Sequence, residues 1–458
     1  MIRKLILATL WTGLWAGLLP TLAAQDSREG RIRQMEARLD RLEQKLDLLL
    51  NRLLEQPETL QPVLAEVVQI SQQLEEEAAF ESHVGSENGE ESPVPDAVAT
   101  SSSQVQNDLE PPEPRVPING YMEMHLNHDG FSPTTLDFHR FVLLFSHNFG
   151  QRIQFVSEVE LEHGFVEGGE ASGEFELEQA YLNFRINPRL NFRAGMLLTP
   201  MGIINEAHEP PSFNGVERPF VDEFIIPSTW FANGAGLVGD LGHGFHYKAF
   251  VMSPLNGSFF DAAEGFRGGR QKGFFENARN LATVGRLEYR GYPGLNLGTS
   301  FWIGETGFDF RDLSAQLKIF EFDTRYSWRR FDGRGQFVIT DLEDAGAINR
   351  IQQQQTGVSP NLAEKMRGFY LEGAAHLLPV STSHDLVGFY RYESFDTQYR
   401  MPESFLPLRE FDREAHVLGL TYYPYPDIAL KFDYVVLRNA SALIGVPNQW
   451  NLGIGWWF

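Results

Sequence analysis

Two periodicities divide this chain. Ile32, Leu39, Leu46 and Leu53 fall seven residues apart, and Met35, Leu42 and Leu49 repeat that spacing three residues behind them. Charges such as Arg38, Asp40, Glu43 and Lys45 lie between. This a/d seam predicts an α-helical coiled coil over residues 27–56. An amphipathic helix packed on a domain would share the seam, but an unbroken period of 3.5 favours supercoiling. Pro57 and Pro62 interrupt it, and Val63 to Glu77 carries a second helical pattern. From Ala79 to Arg115 the chain is rich in Ser, Glu and Pro, so residues 57–115 are expected to be partly helical and then a disordered acidic linker.

From Pro117 onward the period is two. Ile153, Phe155, Val159 and Leu161 alternate with Gln154, Glu158, Glu160 and Glu162. Ala180, Leu182, Phe184 and Ile186 alternate with Gln179, Tyr181, Asn183 and Arg185. Ile428, Leu430, Phe432, Tyr434 and Val436 alternate with Ala429, Lys431 and Asp433, and Trp450, Leu452, Ile454, Trp456 and Phe458 form a final apolar row. One apolar row opposite one of charges and glycines suits a strand between lipid and water, although a soluble sandwich would alternate too. The connections separate the two. Tight links at Gly150, Asn187–Arg189, Gly242–Gly244, Tyr292–Gly294, Asp332–Gly333 and Tyr425–Asp427 alternate with long polar ones at 163–173, 199–229, 254–279, 343–365 and 397–410. Short turns at one end and long loops at the other predict an all-β, antiparallel transmembrane barrel of about 16 strands over residues 116–458. The weakest strand pattern is Leu313 to Trp328.

Composition agrees with a barrel. The chain has 36 Phe and 42 Gly but only 42% hydrophobic residues, which fits an element where every second residue meets lipid. Cysteine is absent, which excludes disulfides and thiolate metal sites. The net charge of −23 argues against a nucleic-acid partner. At the N-terminus Arg3 and Lys4 precede an apolar run from Leu5 to Leu19 and small residues near Ala24, so residues 1–24 read as a signal peptide. Export places the coiled coil in the periplasm and the barrel in the cell outer membrane, with outer-membrane lipid and lipopolysaccharide as its surroundings.

Candidate chemistry is sparse. No nucleophile elbow or metal signature is present, so neither an enzyme nor a cofactor is expected. Glu206, His208 and Glu209 are ligand types, but their spacing fits no helical metal pair, and a structural loop contact is expected. Alternation turns Arg185, Arg193, Arg286, Arg325 and Arg391 into the lumen, together with Glu158, Glu160 and Glu393. These are the expected pore-lining residues, either as an anion path or as wall-propping ion pairs. The longest loop, Thr199 to Thr229, follows the fifth strand and holds Pro200, Pro210, Pro211 and Pro219 beside Phe213, Phe220, Ile225 and Ile226. A loop this long and apolar is expected to fold on itself or into the barrel. Inside the barrel it would present Asn205, Glu206, His208, Glu217 and Arg218 at a constriction.

Several segments resemble the phosphate-selective porin O and P family. They are FELEQAYLNFRI from Phe175, LNFRAGMLLTPMGIINEAHEPPSFNGVERPF from Leu190, IIPSTW from Ile225, GFRGGRQKG from Gly265, YPGLNLGTSFWIGETG from Tyr292 and LVGFYRYESFDT from Leu386. The resemblance implies a Gram-negative porin of 16 strands that forms homotrimers, with a terminal aromatic, Phe458, read by the barrel-assembly machinery. It also implies passive diffusion of small hydrophilic solutes, anions such as phosphate among them. Lysine is scarce here, so the lysine cluster of the best-studied members has no counterpart. The alternative is a structural tether, with the barrel as anchor and the coiled coil as stalk.

Overall fold

The structure, a computed structural model, describes residues 118–164, 173–307, 309–310 and 313–458. The signal peptide, the coiled-coil seam from Ile32 to Leu53 and the acidic linker lie outside the described residues.

Sixteen strands form the barrel. In chain order they are β1 (Ile118–Asp129), β2 (Thr135–Phe149), β3 (Ile153–Glu162), β4 (Glu174–Asn187), β5 (Leu190–Leu198), β6 (Phe231–Gly242), β7 (Phe245–Met252) and β8 (Ala282–Tyr292). The second half comprises β9 (Leu295–Glu305), β10 (Gln316–Trp328), β11 (Phe331–Leu342), β12 (Lys365–His376), β13 (Asp385–Arg400), β14 (Asp412–Tyr425), β15 (Ile428–Asn439) and β16 (Gln449–Trp457). Each pairs antiparallel with its chain neighbours, and β1 pairs with β16 from Tyr121–Trp457 to Asp129–Gln449, so the sheet closes without an edge. Closure satisfies every ladder internally, which an open sheet in lipid cannot do.

Most links fall where the pattern places them. One does not: β10 and β11 turn at Arg329–Arg330, whereas Asp332 and Gly333 stay in the ladder opposite Ser327 and Tyr326. Arg329 takes a left-handed φ of 56°, so the turn uses no glycine and leaves no glycine signal.

The outward rows are as alternation requires. Phe320, Phe322 and Trp328 on β10, and Leu430, Phe432 and Tyr434 on β15, are exposed. The inward rows differ from expectation. Near the long-loop end, β7 to β13 turn Phe250, Met252, Val284, Trp302, Leu317, Ile319, Val338, Met366 and Phe395 into the lumen. Long loops cover this apolar lining. L3 (residues 199–230) contains the four-residue helix α1 (Val221–Phe224), and L4 spans 253–281. L6 (343–364) contains the helix α2 (Ala345–Thr356). Ile225, Ile226 and Trp230 of L3, Phe260 and Phe266 of L4, and Ile348 and Leu362 of L6 join the inward residues in one buried cluster. The barrel therefore has a packed hydrophobic core over part of its interior, with charged rows nearer the short-turn end.

Candidate functional site

L3 leaves β5, crosses the lumen and returns to β6. Asn205 fastens its neck: Nδ2 donates to the carbonyls of Thr199 at 2.7 Å and Trp230 at 2.8 Å, and Oδ1 accepts from the Trp230 N–H at 2.7 Å. Three buried acceptors and donors are thereby satisfied at the point where two loop ends meet. Asn205 is thus a clamp for the loop base.

Beyond the neck the loop backbone is held by side chains from opposite walls. The Ile203 N–H donates to Gln336 Oε1 at 2.8 Å on β11, and the Val221 N–H donates to Glu393 Oε2 at 3.1 Å on β13. The Val216 N–H donates to Asp433 Oδ2 at 2.6 Å on β15, and Lys431 Nζ donates to the Phe213 and Gly215 carbonyls at 3.0 and 2.7 Å. Val216 and Pro210 pack against β16 where it has Gly453 and Gly455. A Cβ at Gly453 would lie 3.0 Å from the Val216 side chain, and one at Gly455 would collide with Pro210. These glycines are the room the loop needs.

The inward arginines fall into two groups. Arg286 is buried among Glu288 at 3.1 Å, Glu321 at 3.3 Å and Asp323 at 2.6 Å. Arg391 is buried between Glu393 at 2.7 Å and Glu372 at 3.2 Å, and its Nη1 reaches the Asn214 carbonyl of L3 at 3.2 Å. Both are wall and loop supports. The others are more open. Arg185 donates to Gln154 at 2.7 Å, Arg193 lies near Asn183 at 3.4 Å and over the Tyr181 ring, and Arg325 is 3.7 Å from Glu288.

On the side of L3 away from the hydrophobic core lies a polar cavity of about 170 Å³. Its wall comes from β1 to β4, with Glu123, His125, Arg140, Glu162, Glu176 and Glu178. Its opposite side comes from the loops, with Glu217, Arg218, Arg267, Arg270 and Lys272. Arg267 and Arg270 bind the Ser228 and Thr229 carbonyls, and Lys272 pairs with Glu174 at 2.8 Å and with Glu176. Arg218 Nη1 donates to Thr229 Oγ1 at 2.7 Å, and its Nη2 is buried without a hydrogen-bond partner. Acids on the wall face cations on the loops, which makes a field across the opening rather than along it.

The remaining constriction-loop residues are tied to the wall. Glu206 pairs with Lys248 at 2.6 Å. Glu217 lies 3.0 Å from His125 and accepts from Asn127 at 2.7 Å. Burial raises the Glu217 carboxyl, but the His125 hydrogen bond and charge outweigh it and hold the group at about 2. Burial raises Asp222 of α1 to about 7; its Oδ1 accepts from Gln336 at 2.9 Å. His208 is buried, and burial, followed by the Arg218 charge, lowers it to about 4. It lies 3.2 Å from Glu178 and 3.8 Å from Glu158. Glu160 instead faces Arg140 at 3.3 Å.

In the sequence Glu174, Glu176 and Glu178 read as a solvated acidic rim, but Glu178 is buried. A bulge in β4 lets Gln179 pair with Glu158 while Leu177 pairs with Val159, so Glu178 is the extra residue. The alternation changes phase there, and Glu178 and Gln179 both serve the lumen.

No family model matches this chain. A curated relative from Aquifex aeolicus (strain VF5), described as an uncharacterized protein, is 34% identical over 330 residues, 70% of this chain and 75% of the relative. Among solved structures, the anion-selective porin from Comamonas acidovorans aligns with a TM-score of 0.50 at 13% identity, covering 76% of this chain and 100% of its own. OmpF of Salmonella typhi in complex with daunomycin aligns at 0.51 and 11%, covering 75% and 98%. The outer membrane channel DcaP of Acinetobacter baumannii aligns at 0.50 and 12%, covering 75% and 97%. The last three share the barrel fold, and at the level of sequence the chain belongs to one family with the uncharacterized Aquifex aeolicus protein.

Proposed function

We propose that the chain is an outer-membrane porin, a water-filled channel for passive diffusion of small hydrophilic solutes. The observation that carries this reading is L3 folded across a closed barrel, beside a polar cavity lined by charges of both signs. Such a loop narrows a lumen without needing any reacting group. The long loops then face outward, toward lipopolysaccharide, and the short turns face the periplasm with the coiled coil over residues 27–56. Assembly as a homotrimer and insertion by the barrel-assembly machinery belong to the same proposal.

Selectivity follows from which cations are free. Arg286 and Arg391 are neutralised by carboxylates, so they form no anion ladder. Arg218 lines the cavity and, among the described residues, forms no ion pair with a carboxylate, so its charge would draw an anion such as phosphate there. Recording from the purified protein in a planar bilayer is expected to show stepwise conductance. Phosphate is expected to reduce chloride current, and Arg218→Ala to remove that effect. A barrel without conductance would refute the channel. Conductance indifferent to phosphate would refute the anion site alone.

A further inference from the structure

The cluster around His208 has too many acceptors for the donors present. His208 Nδ1 lies 3.2 Å from the Asn205 carbonyl. A carbonyl can only accept, so Nδ1 carries the proton, and a neutral ring then presents the Nε2 lone pair. That lone pair points at Glu178 Oε2, 3.2 Å away, and Glu158 Oε1, 3.8 Å away. Neither His208 Nε2 nor Glu178 Oε2 has a hydrogen-bond partner, and both side chains are buried, with 2% exposure each. Lone pairs converging out of water repel one another unless a cation lies between them.

Nearby charge does not relieve the excess. Glu158, Glu160 and Glu178 are all buried here. Arg140 is shared between Glu160 at 3.3 Å and Glu123 at 2.6 Å, and Arg218 donates to Thr229 Oγ1 at 2.7 Å and forms no ion pair with either carboxylate. Gln179 donates to Glu158 Oε2 at 2.6 Å, which orients that carboxylate and leaves Oε1 toward His208. The Asn205 carbonyl orients the imidazole in the same manner, and Asn205 itself is the clamp of the loop neck. Ligating groups held by a second layer of hydrogen bonds are the usual construction of a metal site.

We propose that His208, Glu158 and Glu178 bind one divalent d-block cation that fastens L3 to the β3–β4 wall. One imidazole and two carboxylates suit zinc and its neighbours. Donors at about 2.0–2.1 Å from a tetrahedral ion lie about 3.3–3.4 Å apart, and the two His208 separations bracket that value. Three protein ligands leave a fourth position for water. The second group of ligand types, Asp137, His139 and His163, differs in that Asp137 already contacts both imidazoles at hydrogen-bonding distance, 3.1 and 2.9 Å. The proposal does not depend on whether the channel conducts.

The test is titration of the full chain, purified in detergent, with zinc alone and with cobalt(II) alone. One equivalent per chain is expected, with visible cobalt absorption from a site of low coordination number. His208→Ala and Glu178→Gln should each weaken binding at least tenfold and remove the absorption. Glu178→Gln is nearly isosteric and keeps the test available if His208→Ala does not fold. Asp137→Asn with His163→Ala should bind like the parent. Absence of uptake by the parent would overturn the proposal and assign a proton to the cluster. Uptake that survives both ligand variants, or is lost in the Asp137/His163 variant, would also overturn it.

Discussion

Replacing Arg391 by Met removes the charge that holds two carboxylates under L3. Arg391 contacts Glu393 at 2.7 Å and Glu372 at 3.2 Å, and each carboxylate in turn holds the loop. Glu393 accepts from the Val221 N–H at 3.1 Å, and Glu372 accepts from Asn214 Nδ2 at 3.0 Å. Arg334, 3.2 Å from Glu372, can compensate only one of the two. Breaking a buried pair costs about 3–5 kcal/mol, because the surviving charge is left without a partner. That corresponds to roughly two to three and a half decades in the balance between docked and undocked loop. The strands keep their ladders, so the barrel still closes. Single-channel recording should show conductance fluctuating above the parental level, and the heat-induced mobility shift on gels should move to lower temperature. Adding Glu372→Gln and Glu393→Gln should recover most of the loss, since neutral partners remove the uncompensated charges. Parental noise and thermal behaviour in Arg391→Met would refute the assignment of this cluster as a loop support.

Three further outcomes follow from the same contacts. Burial raises the pKa of Asp222 to about 7 in the docked loop, so docking favours the protonated form; its contribution is full below about pH 4 and is lost as pH rises toward 7, on the order of 4 kcal/mol in all. Open-channel noise should therefore increase from pH 5 to pH 8, and Asp222→Asn should flatten that dependence. Gly455→Val places a side chain where Pro210 packs and should weaken L3 docking by about 1–3 kcal/mol, read as increased noise with unchanged strand content by circular dichroism. Trp230→Ala removes the ring that lies 5.4 Å from Trp302 in the lumen-side core and should cost about 3–5 kcal/mol in thermal stability.

Much of this architecture is legible in the sequence where one strand face is polar. β3, β15 and β16 alternate cleanly, and the long apolar loop after β5 stands out by its length and composition. The signal fades where both faces are apolar. In β10, Leu317 and Ile319 face the loop core while Phe320 and Phe322 face outward, so the pattern of Leu313 to Trp328 loses its contrast. An inward row that packs against loops reads like an outward row that meets lipid. The His208 cluster is hidden for other reasons. Its partners Glu158 and Glu178 are distant in the chain, and a bulge, which leaves no composition signal, turns Glu178 inward. Alternation turns Arg286 and Arg391 inward correctly, but it cannot say whether an inward arginine is free or paired.

The chain contains no cysteine, so a single introduced thiol can report on the solute path. Arg218→Cys places that thiol at the polar cavity, and Ile225→Cys places one in the buried lumen-side cluster. Both are recorded in planar bilayers before and after a charged, water-soluble methanethiosulfonate reagent. The account predicts stepwise conductance that falls on modification of Arg218→Cys and is unchanged for Ile225→Cys. A silent barrel, or a current indifferent to a charge attached at position 218, would contradict it.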